Sequence, residues 1–290
     1  QDRFWGRHPQ FQAVGMSSAM ALANTGQPTL EAVWEKLRQR FDSLDLYLGA
    51  PLVATVGSFW GTCGFVFALE KLFPGWVKSL KIQPGIMVTR REFMKALKVA
   101  VLNQFILPVA AFLALRKLRP KKLVAEAEAI VAKPVPSPLR ILGEYLFHYS
   151  MWEIGFYCTH RLLHTPRFYK RIHKMHHEFK APIVLSAVYA HPVELVLGNL
   201  LPGQLGPQLL RSHPLSTCFW ASSGMMMTSM VHSGYLWPFW RHESILLHDY
   251  HHNAFYPNLG SMGVMDKLLG TIGGSEYTEF KGDARRRILG

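Results

Sequence analysis

Histidine is the residue whose number and spacing point to chemistry, with fourteen copies in this chain of 290 residues. Eight of them fall in three short motifs: HRLLH at 160–164, HKMHH at 173–177 and HDYHH at 248–252. Residues three and four positions apart are neighbours on a helix, so each motif brings its imidazoles together. Neutral imidazole is the commonest side-chain metal ligand. The motifs therefore predict metal ligation by His160, His164, His173, His176, His177, His248, His251 and His252.

The size of this set predicts two metal ions, because one ion accepts only about four to six donors. Two further candidate ligands, His191 in AHPVE and His232 in VHSGY, lie in apolar sequence. Taken singly, each is explained more simply as a hydrogen-bonded core histidine, since buried polar groups are normally paired. A histidine-rich solvated loop is the other alternative, but matched spacing in three separate motifs favours metal binding.

The histidine motifs fit iron or zinc as the metal. HHEFKA at 176–181 lacks the second histidine of the H-E-x-x-H motif of zinc hydrolases, and no cysteine accompanies the motifs. A haem protein with two axial histidines needs fewer of them. An all-imidazole site for two metals suits iron, which changes oxidation state, and zinc also fits nitrogen donors.

The elements that must position these histidines are long apolar helices. The chain is 49% hydrophobic and 18% charged. Residues 46–69 contain no charged side chain, and residues 93–115 contain only Lys95 and Lys98. A membrane-spanning helix needs about 20 apolar residues. We therefore predict that these two stretches form a transmembrane hairpin, with two buried core helices as the alternative.

The net charge of +13 indicates a membrane surface, not nucleic acid, as the partner. Basic residues flank the apolar stretches, as at Arg90, Arg91 and RKLRPKK over 116–122. Segments anchored against anionic lipid headgroups have this pattern, and no nucleic-acid-binding motif accompanies it. The three cysteines are too widely separated for a disulfide framework or a zinc ribbon.

The order of these stretches predicts four segments. They are a leader with an amphipathic helix (1–45), the hairpin anchor (46–131), a proline-rich linker (132–138) and a histidine-rich portion (139–290). We expect no cleavable signal peptide over residues 1–30. In the first segment, residues 29–41 repeat apolar side chains at the helical period, with Thr29 as the N-cap.

Further apolar stretches follow at 139–159, 183–201 and 215–239, but Glu144, His148 and Glu153 interrupt the first of them. The expected number of membrane-embedded helices is therefore about four. Strand signals are weak throughout. The predicted fold is therefore an all-α integral membrane helical bundle that carries a histidine-rich helical cap with a dimetal site. The residues Phe219, Trp220, Met225, Met226, Met227 and Met230 either line a substrate pocket or serve as ordinary core and bilayer-facing residues.

The three motifs together resemble the histidine boxes of the fatty acid hydroxylase and sterol desaturase superfamily of integral membrane oxygenases. HKMHHEFKAP at 173–182, YAHPVE at 189–194 and VHSGY at 231–235 are most similar to C4-methylsterol monooxygenases. MDKLLGT at 265–271 is similar to the closing D-x-x-F-G-T of that group, with Leu269 in place of phenylalanine. Leu247 stands where many such enzymes have another histidine, so a lipid other than a sterol stays open as the substrate.

This resemblance implies a non-haem diiron monooxygenase in a multi-pass protein of the endoplasmic reticulum membrane, with its active site facing the cytosol. It implies hydroxylation of an unactivated C–H bond of a sterol-like lipid, with O2 and electrons from NAD(P)H through cytochrome b5 or its reductase. The eight motif histidines carry over as iron ligands, and His191 and His232 match further histidine positions. Glu153, Glu194 and Asp249 are candidates to orient the imidazoles.

Two alternatives remain at this stage. A desaturase, or a fatty-acid or sphingoid-base hydroxylase of the same superfamily, would share the ligands and differ in substrate or product. A non-catalytic membrane scaffold that binds metal would keep the motifs for structural reasons alone. Arg167, Lys170 and Arg171, between the first two motifs, are expected at the membrane rim, where headgroups or an acidic electron donor would dock.

Overall fold

The computed structural model describes residues 29–240 and 242–289. These residues form helices and contain no β-strand, only one isolated bridge between Lys81 and Tyr235. The all-α prediction is confirmed for this part of the chain, while the predicted leader over 1–28 lies outside it. Contacts divide the chain into two compact units, Gln1–Arg40 and Phe41–Gly290.

Helix α1, Leu30–Arg40, is the described part of the first unit. It begins where the sequence predicts, because the Thr29 hydroxyl accepts a hydrogen bond from the Ala32 N–H at 3.2 Å. Such a cap satisfies one of the amide groups that a helix leaves free at its start. Trp34 is the buried residue of this helix.

The second unit begins with the predicted hairpin. Helix α2 covers Asp45–Leu72, α3 covers Pro74–Ser79, and α4 covers Arg90–Leu118. Helices α2 and α4 are long and apolar enough to cross a membrane, and no other helix of the described residues passes that test. They indicate a membrane protein. The expected total of about four embedded helices stays a prediction.

Helix α4 has a defined start and one irregular turn. Thr89 and Glu92 form a reciprocal capping box, in which the Glu92 carboxylate accepts from the Thr89 N–H at 2.8 Å. Further along, Leu102–Ile106 forms a π-helical turn. Such turns widen a helix by one residue and are frequent at functional sites.

The rest of the second unit supplies the histidines and their supports. In the described range its helices are α5 (Lys121–Val131), α6 (Pro138–Leu163), α7 (Pro166–Arg171), α8 (192–210), α9 (Pro214–Val231), α10 (His242–Ala254), α11 (Val264–Leu269) and α12 (Ser275–Leu289). Short 3₁₀ segments cover His173–Glu178 and Val184–Val188, and a π-helical stretch of α8 covers Leu195–Leu200.

Two helix pairs make up the bundle around the site. Helix α9 packs along α2, and α8 packs along α6. At the second contact, a Cβ atom on Gly206 would lie 2.7 Å from the Cα of His148, so only glycine allows this approach. The proline-rich residues 132–137 connect α5 to α6 inside the second unit, so the hairpin and the histidine-rich portion form one compact unit.

Candidate metal centre

Nine histidines meet in two groups within the second unit. In each group the candidate ligand nitrogens lie within 4.8 Å of one another. The first group consists of His160, His164, His173, His177 and His251, and the second of His176, His232, His248 and His252. The groups adjoin, since the ring centres of His177 and His252 are 4.8 Å apart. All nine side chains are buried except that of His164, which is half-buried.

The first motif delivers both of its histidines to the first group. His160 and His164 are one turn apart at the end of α6, and their Nε2 atoms are 3.3 Å apart. Helix α6 ends at Leu163 and α7 begins at Pro166, because Thr165-Pro166 interrupts the helix. The short helix α7 then turns the chain back, so that the second motif also faces the first group.

The two H-x-x-H-H motifs are shared between the groups, whereas the sequence predicts that each converges on one point. In each motif the first and last histidines enter one group and the middle histidine enters the other. The pairs are His173 with His177 and His248 with His252, and the crossing residues are His176 and His251. On α10 the reason is geometric: positions i+3 and i+4 lie on opposite sides of position i, about 100° apart. The second motif forms a 3₁₀ segment instead of the expected α-helix.

His232 and His191, the two isolated candidates, have different positions. His232 follows the last turn of α9, and its Nε2 lies 2.7 Å from the Nε2 of His248. His191 belongs to neither group. Its Nδ1 instead accepts a hydrogen bond from the Val193 N–H at 3.2 Å and caps the start of α8. The structure therefore brings nine of the ten candidates together, and His191 lies outside both groups.

The imidazole orientations fit bound cations. Five rings donate through Nδ1 to main-chain carbonyl oxygens, which can only accept, so a neutral ring has its lone pair at Nε2. The pairs are His160 with Leu259, His176 with Tyr189, His232 with Thr228, His251 with Pro257 and His252 with Phe179. The Nε2 atoms of His176 and His232 nevertheless lie 3.4 Å apart. Two lone pairs at that separation share no hydrogen, whereas a metal ion between such atoms uses both.

The rings are also in the protonation state that metal binding needs. Burial lowers the pKa of all nine imidazoles, to about 4 for His160 and His176. At neutral pH they are uncharged and each offers one nitrogen lone pair. The first group has five imidazoles and the second has four. Each number lies within the about four to six donors that one transition metal accepts.

Of the three carboxylates predicted to orient imidazoles, one contacts a histidine. Glu194 Oε1 lies 2.9 Å from His173 Nδ1, and both side chains are buried. Burial raises the pKa of Glu194 well above its ordinary value, and a cation on His173 would offset that desolvation by attracting the carboxylate. Glu153 instead accepts four backbone N–H groups from residues 261–265, and Asp249 accepts from Gln83 at 2.6 Å. These two carboxylates support the surrounding chain.

Replacing Glu194 with alanine is expected to weaken metal binding about 10- to 100-fold, because His173 loses the group that fixes its ring. Glu194→Gln keeps an acceptor oxygen and should recover most of the affinity. Competition with a chelator measures both. The control is Glu128→Ala, which removes an exposed carboxylate on α5. Equal metal affinities of the Glu194→Ala and Glu128→Ala proteins would contradict this role of Glu194.

Asp266 is a supporting residue that the histidine pattern does not reveal. Its buried carboxylate accepts from the N–H groups of Leu259 and Gly260, each at 2.7 Å, and from the Thr271 hydroxyl. The Leu259 carbonyl in turn accepts from His160 Nδ1 at 2.7 Å. Asp266 therefore fixes the acceptor that orients the candidate ligand His160. The sequence feature that points to Asp266 is the MDKLLGT motif, which contains both Asp266 and Thr271.

A cavity of about 720 Å³ adjoins the histidines. Helices α2, α4, α8 and α9 form most of its wall, which is largely apolar. It shares Trp152, Ala187, Asn199, Met227 and Thr228 with a small pocket that His160, His173, His176, His232 and His248 line. The cavity therefore leads to both histidine groups.

The candidate pocket residues of α9 are divided by this cavity. Trp220, Met225 and Met227 line it, and the Trp220 Nε1 donates to the Gly203 carbonyl at 2.8 Å. Phe219 and Met226 are exposed, whereas Met230 is buried in the core. Part of this set therefore lines the cavity, as predicted for a substrate pocket, and the rest consists of core or exposed residues on other faces of α9.

Comparison with known proteins identifies the family. The fatty acid hydroxylase family model matches residues 145–271, which include every histidine of both groups. The chain is 33% identical to the fatty acid hydroxylase domain-containing protein 2 of Homo sapiens over 249 residues, which are 83% of this chain and 72% of that protein.

Two other relatives match shorter parts. The fatty acid hydroxylase ahd1 of Mycosarcoma maydis is 35% identical, over 71% of this chain and 53% of its own length. The methylsterol monooxygenase 2-2 of Arabidopsis thaliana is 32% identical, over 48% of this chain and 55% of its own length. No solved structure matches the chain. The chain belongs to the fatty acid hydroxylase family, within the fatty acid hydroxylase and sterol desaturase superfamily.

Proposed function

We propose that this protein is a membrane-bound, non-haem diiron monooxygenase that hydroxylates an unactivated C–H bond of a sterol-like or other hydrophobic lipid. The observation that carries the proposal is the position of two adjoining imidazole groups beside a large apolar cavity between helices. Family membership and the similarity to a methylsterol monooxygenase support lipid oxidation.

The protein's own residues prepare the site in three ways. Main-chain carbonyls hold five imidazoles in one tautomer, so their lone pairs are directed inward before any metal binds. The neutral ligand set holds metal without adding negative charge. The apolar cavity positions a lipid carbon near the metals and excludes water from it. Two iron ions held there would supply the O2-dependent redox chemistry that an unactivated C–H bond requires.

We propose that electrons reach the site through a cationic surface on α7. Arg167, Lys170 and Arg171 are exposed, and they directly precede the second histidine motif. A surface of this charge suits an acidic partner. We assign that role to cytochrome b5 or its reductase, which draw on NAD(P)H, and place the histidines on the cytosolic side of the endoplasmic reticulum membrane in a multi-pass protein.

Turnover of the iron-loaded protein in lipid nanodiscs tests this function. With NADH, cytochrome b5 and its reductase, we expect O2 consumption and a lipid product that has gained one oxygen atom. A product that has lost two hydrogens instead identifies a desaturase with the same ligands. Bound iron without an O2-dependent product from a cellular lipid extract would contradict the proposal and favour the metal-binding scaffold.

A further inference from the structure

The wall of the large cavity has no charged side chain. Among the described residues that line it there is no aspartate, glutamate, lysine, arginine or histidine. A carboxylate or phosphate inside it would therefore be buried without a counterion, which is strongly unfavourable. A lipid that enters this cavity completely is uncharged.

Several polar groups in the wall are already paired with the protein. The Tyr47 hydroxyl hydrogen-bonds with the Gln208 side chain at 3.2 Å. The Thr228 hydroxyl donates to the Gly224 carbonyl at 2.9 Å, and Ser212 pairs with His148 at 3.0 Å. These groups have partners without a ligand and give no information about one.

Three carboxamides in the wall have no such partner in the described part of the chain, those of Gln104, Asn199 and Gln204. Gln104 is only 4% exposed, yet its side chain makes no hydrogen bond with any residue that the structure describes. Asn199 and Gln204 are half-buried, and of the three only Asn199 also lines the pocket beside the histidines. Polar side chains that line an apolar cavity without a protein partner are available to hydrogen-bond with a ligand there.

Gln104 and Asn199 both lie on irregular turns of their helices. Gln104 belongs to the π-helical turn of α4 and Asn199 to that of α8. The neighbour Asn103 donates its amide to the carbonyls of Val188 and Ala190, on either side of Tyr189, whose carbonyl accepts from His176. The turn of α4 is therefore fixed to the chain segment that orients a candidate ligand.

We propose that Gln104 and Asn199 form a carboxamide subsite that binds an uncharged hydroxyl group of the lipid and thereby determines which carbon faces the metals. A carboxamide both donates and accepts, so it matches both hydrogen-bonding roles of a hydroxyl. The ligand class is a neutral lipid alcohol, in preference to a free fatty acid or a phospholipid. This inference rests on the proposed function for its meaning, and its test is independent of turnover.

Equilibrium binding of tritiated 5α-cholestan-3β-ol to the metal-loaded protein in nanodiscs provides the test, with hexadecanol as a second alcohol. Cholesterol sulfate and palmitate are the charged competitors, and 5α-cholestane is the oxygen-free one. We expect each alcohol to compete at about tenfold lower concentration than its charged counterpart. Equal competition by alcohol and charged lipid, or no binding of either alcohol, would overturn the inference.

Variants of Gln104 and Asn199 test whether these two residues cause the preference for alcohols over charged lipids. Gln104→Leu and Asn199→Leu should each weaken binding of the alcohols about five- to tenfold, the loss of one hydrogen bond, and leave the affinity for cholestane unchanged. In Gln104→Met the new side chain has nearly the volume of glutamine but no amide. The same loss of alcohol binding in Gln104→Met and Gln104→Leu would therefore be due to the missing amide and not to altered packing. Gln39→Leu makes the same change at an exposed position of α1. A variant that loses affinity for alcohol and cholestane alike contradicts the subsite.

Failure of the two proposals is distinguishable. Selective, Gln104-dependent binding of alcohols without an O2-dependent product would contradict the oxygenase and support the subsite. Oxidation of palmitate as readily as hexadecanol would support the oxygenase and overturn the subsite.

Discussion

His176→Ala and His251→Ala are each expected to abolish lipid oxidation and to lower the metal content of the purified protein. Each removes one imidazole, from the second and the first group respectively. Losing only the hydrogen-bond partner of a ligand already costs about 10- to 100-fold, so losing the ligand should reduce activity more than about 100-fold.

The two variants should differ in metal content. His251→Ala leaves four imidazoles in the first group, whereas His176→Ala leaves three in the second. We therefore expect His176→Ala to lose one metal per chain, and His251→Ala to keep more of its metal at reduced affinity. Elemental analysis of metal per chain, together with product formation, measures both effects.

Two histidines outside both groups provide matched controls. His213 is buried, and its Nδ1 caps the start of α9. His213→Ala should lose stability of about 1 kcal/mol, the usual value of a helix cap, and retain both metals. His191→Ala, at the start of α8, should behave in the same way. Loss of metal in these controls, or full metal content in His176→Ala, would contradict the ligand assignment.

Acidification from about pH 7 to pH 4 is expected to destabilise the protein and release its metals. Burial lowers the pKa of His160 and His176 from 6.5 to about 4 in the folded chain. Above pH 6.5 the imidazoles are neutral in both folded and unfolded states, so they contribute no pH dependence. Between 6.5 and 4 the unfolded chain binds more protons than the folded chain, and stability falls as the pH falls.

The expected loss is about 3 kcal/mol for each of these two rings, because one pKa unit corresponds to about 1.4 kcal/mol. Protons also compete with metal for the Nε2 lone pairs, so metal release should occur in the same pH range. Thermal unfolding and metal content, both measured against pH, check the expectation. Chelator-treated protein is the control, since its remaining pH dependence comes from the buried rings alone. Constant stability and metal content down to pH 4 would contradict it.

Much of this site follows from local patterns. Long apolar stretches with few charged residues predict α2 and α4, and the dipeptide Thr165-Pro166 explains the end of α6. Both features depend only on residues close in sequence. The three motifs identify eight of the nine converging histidines for the same reason. His232 is the ninth, and its apolar context alone does not separate it from His191.

The rest depends on how distant segments approach each other. The division of each H-x-x-H-H motif between two groups results from the packing of α10 against the 3₁₀ segment, which no local pattern encodes. His191 has the sequence context of a ligand but faces a helix N-terminus, where it accepts from Val193. The unpaired amides of Gln104 and Asn199 become significant only when the cavity between their helices is known.

The carbonyl partners of the imidazoles also determine when during biosynthesis the proposed metal site is complete. His251 and His160 depend on the carbonyls of Pro257 and Leu259, more than 90 residues after the first motif. A nascent chain that ends before these residues has its membrane helices but lacks an ordered ligand set. The proposed site is therefore complete only after the chain has been made past Leu259, and a shorter chain leaves His160 and His251 without their carbonyl acceptors.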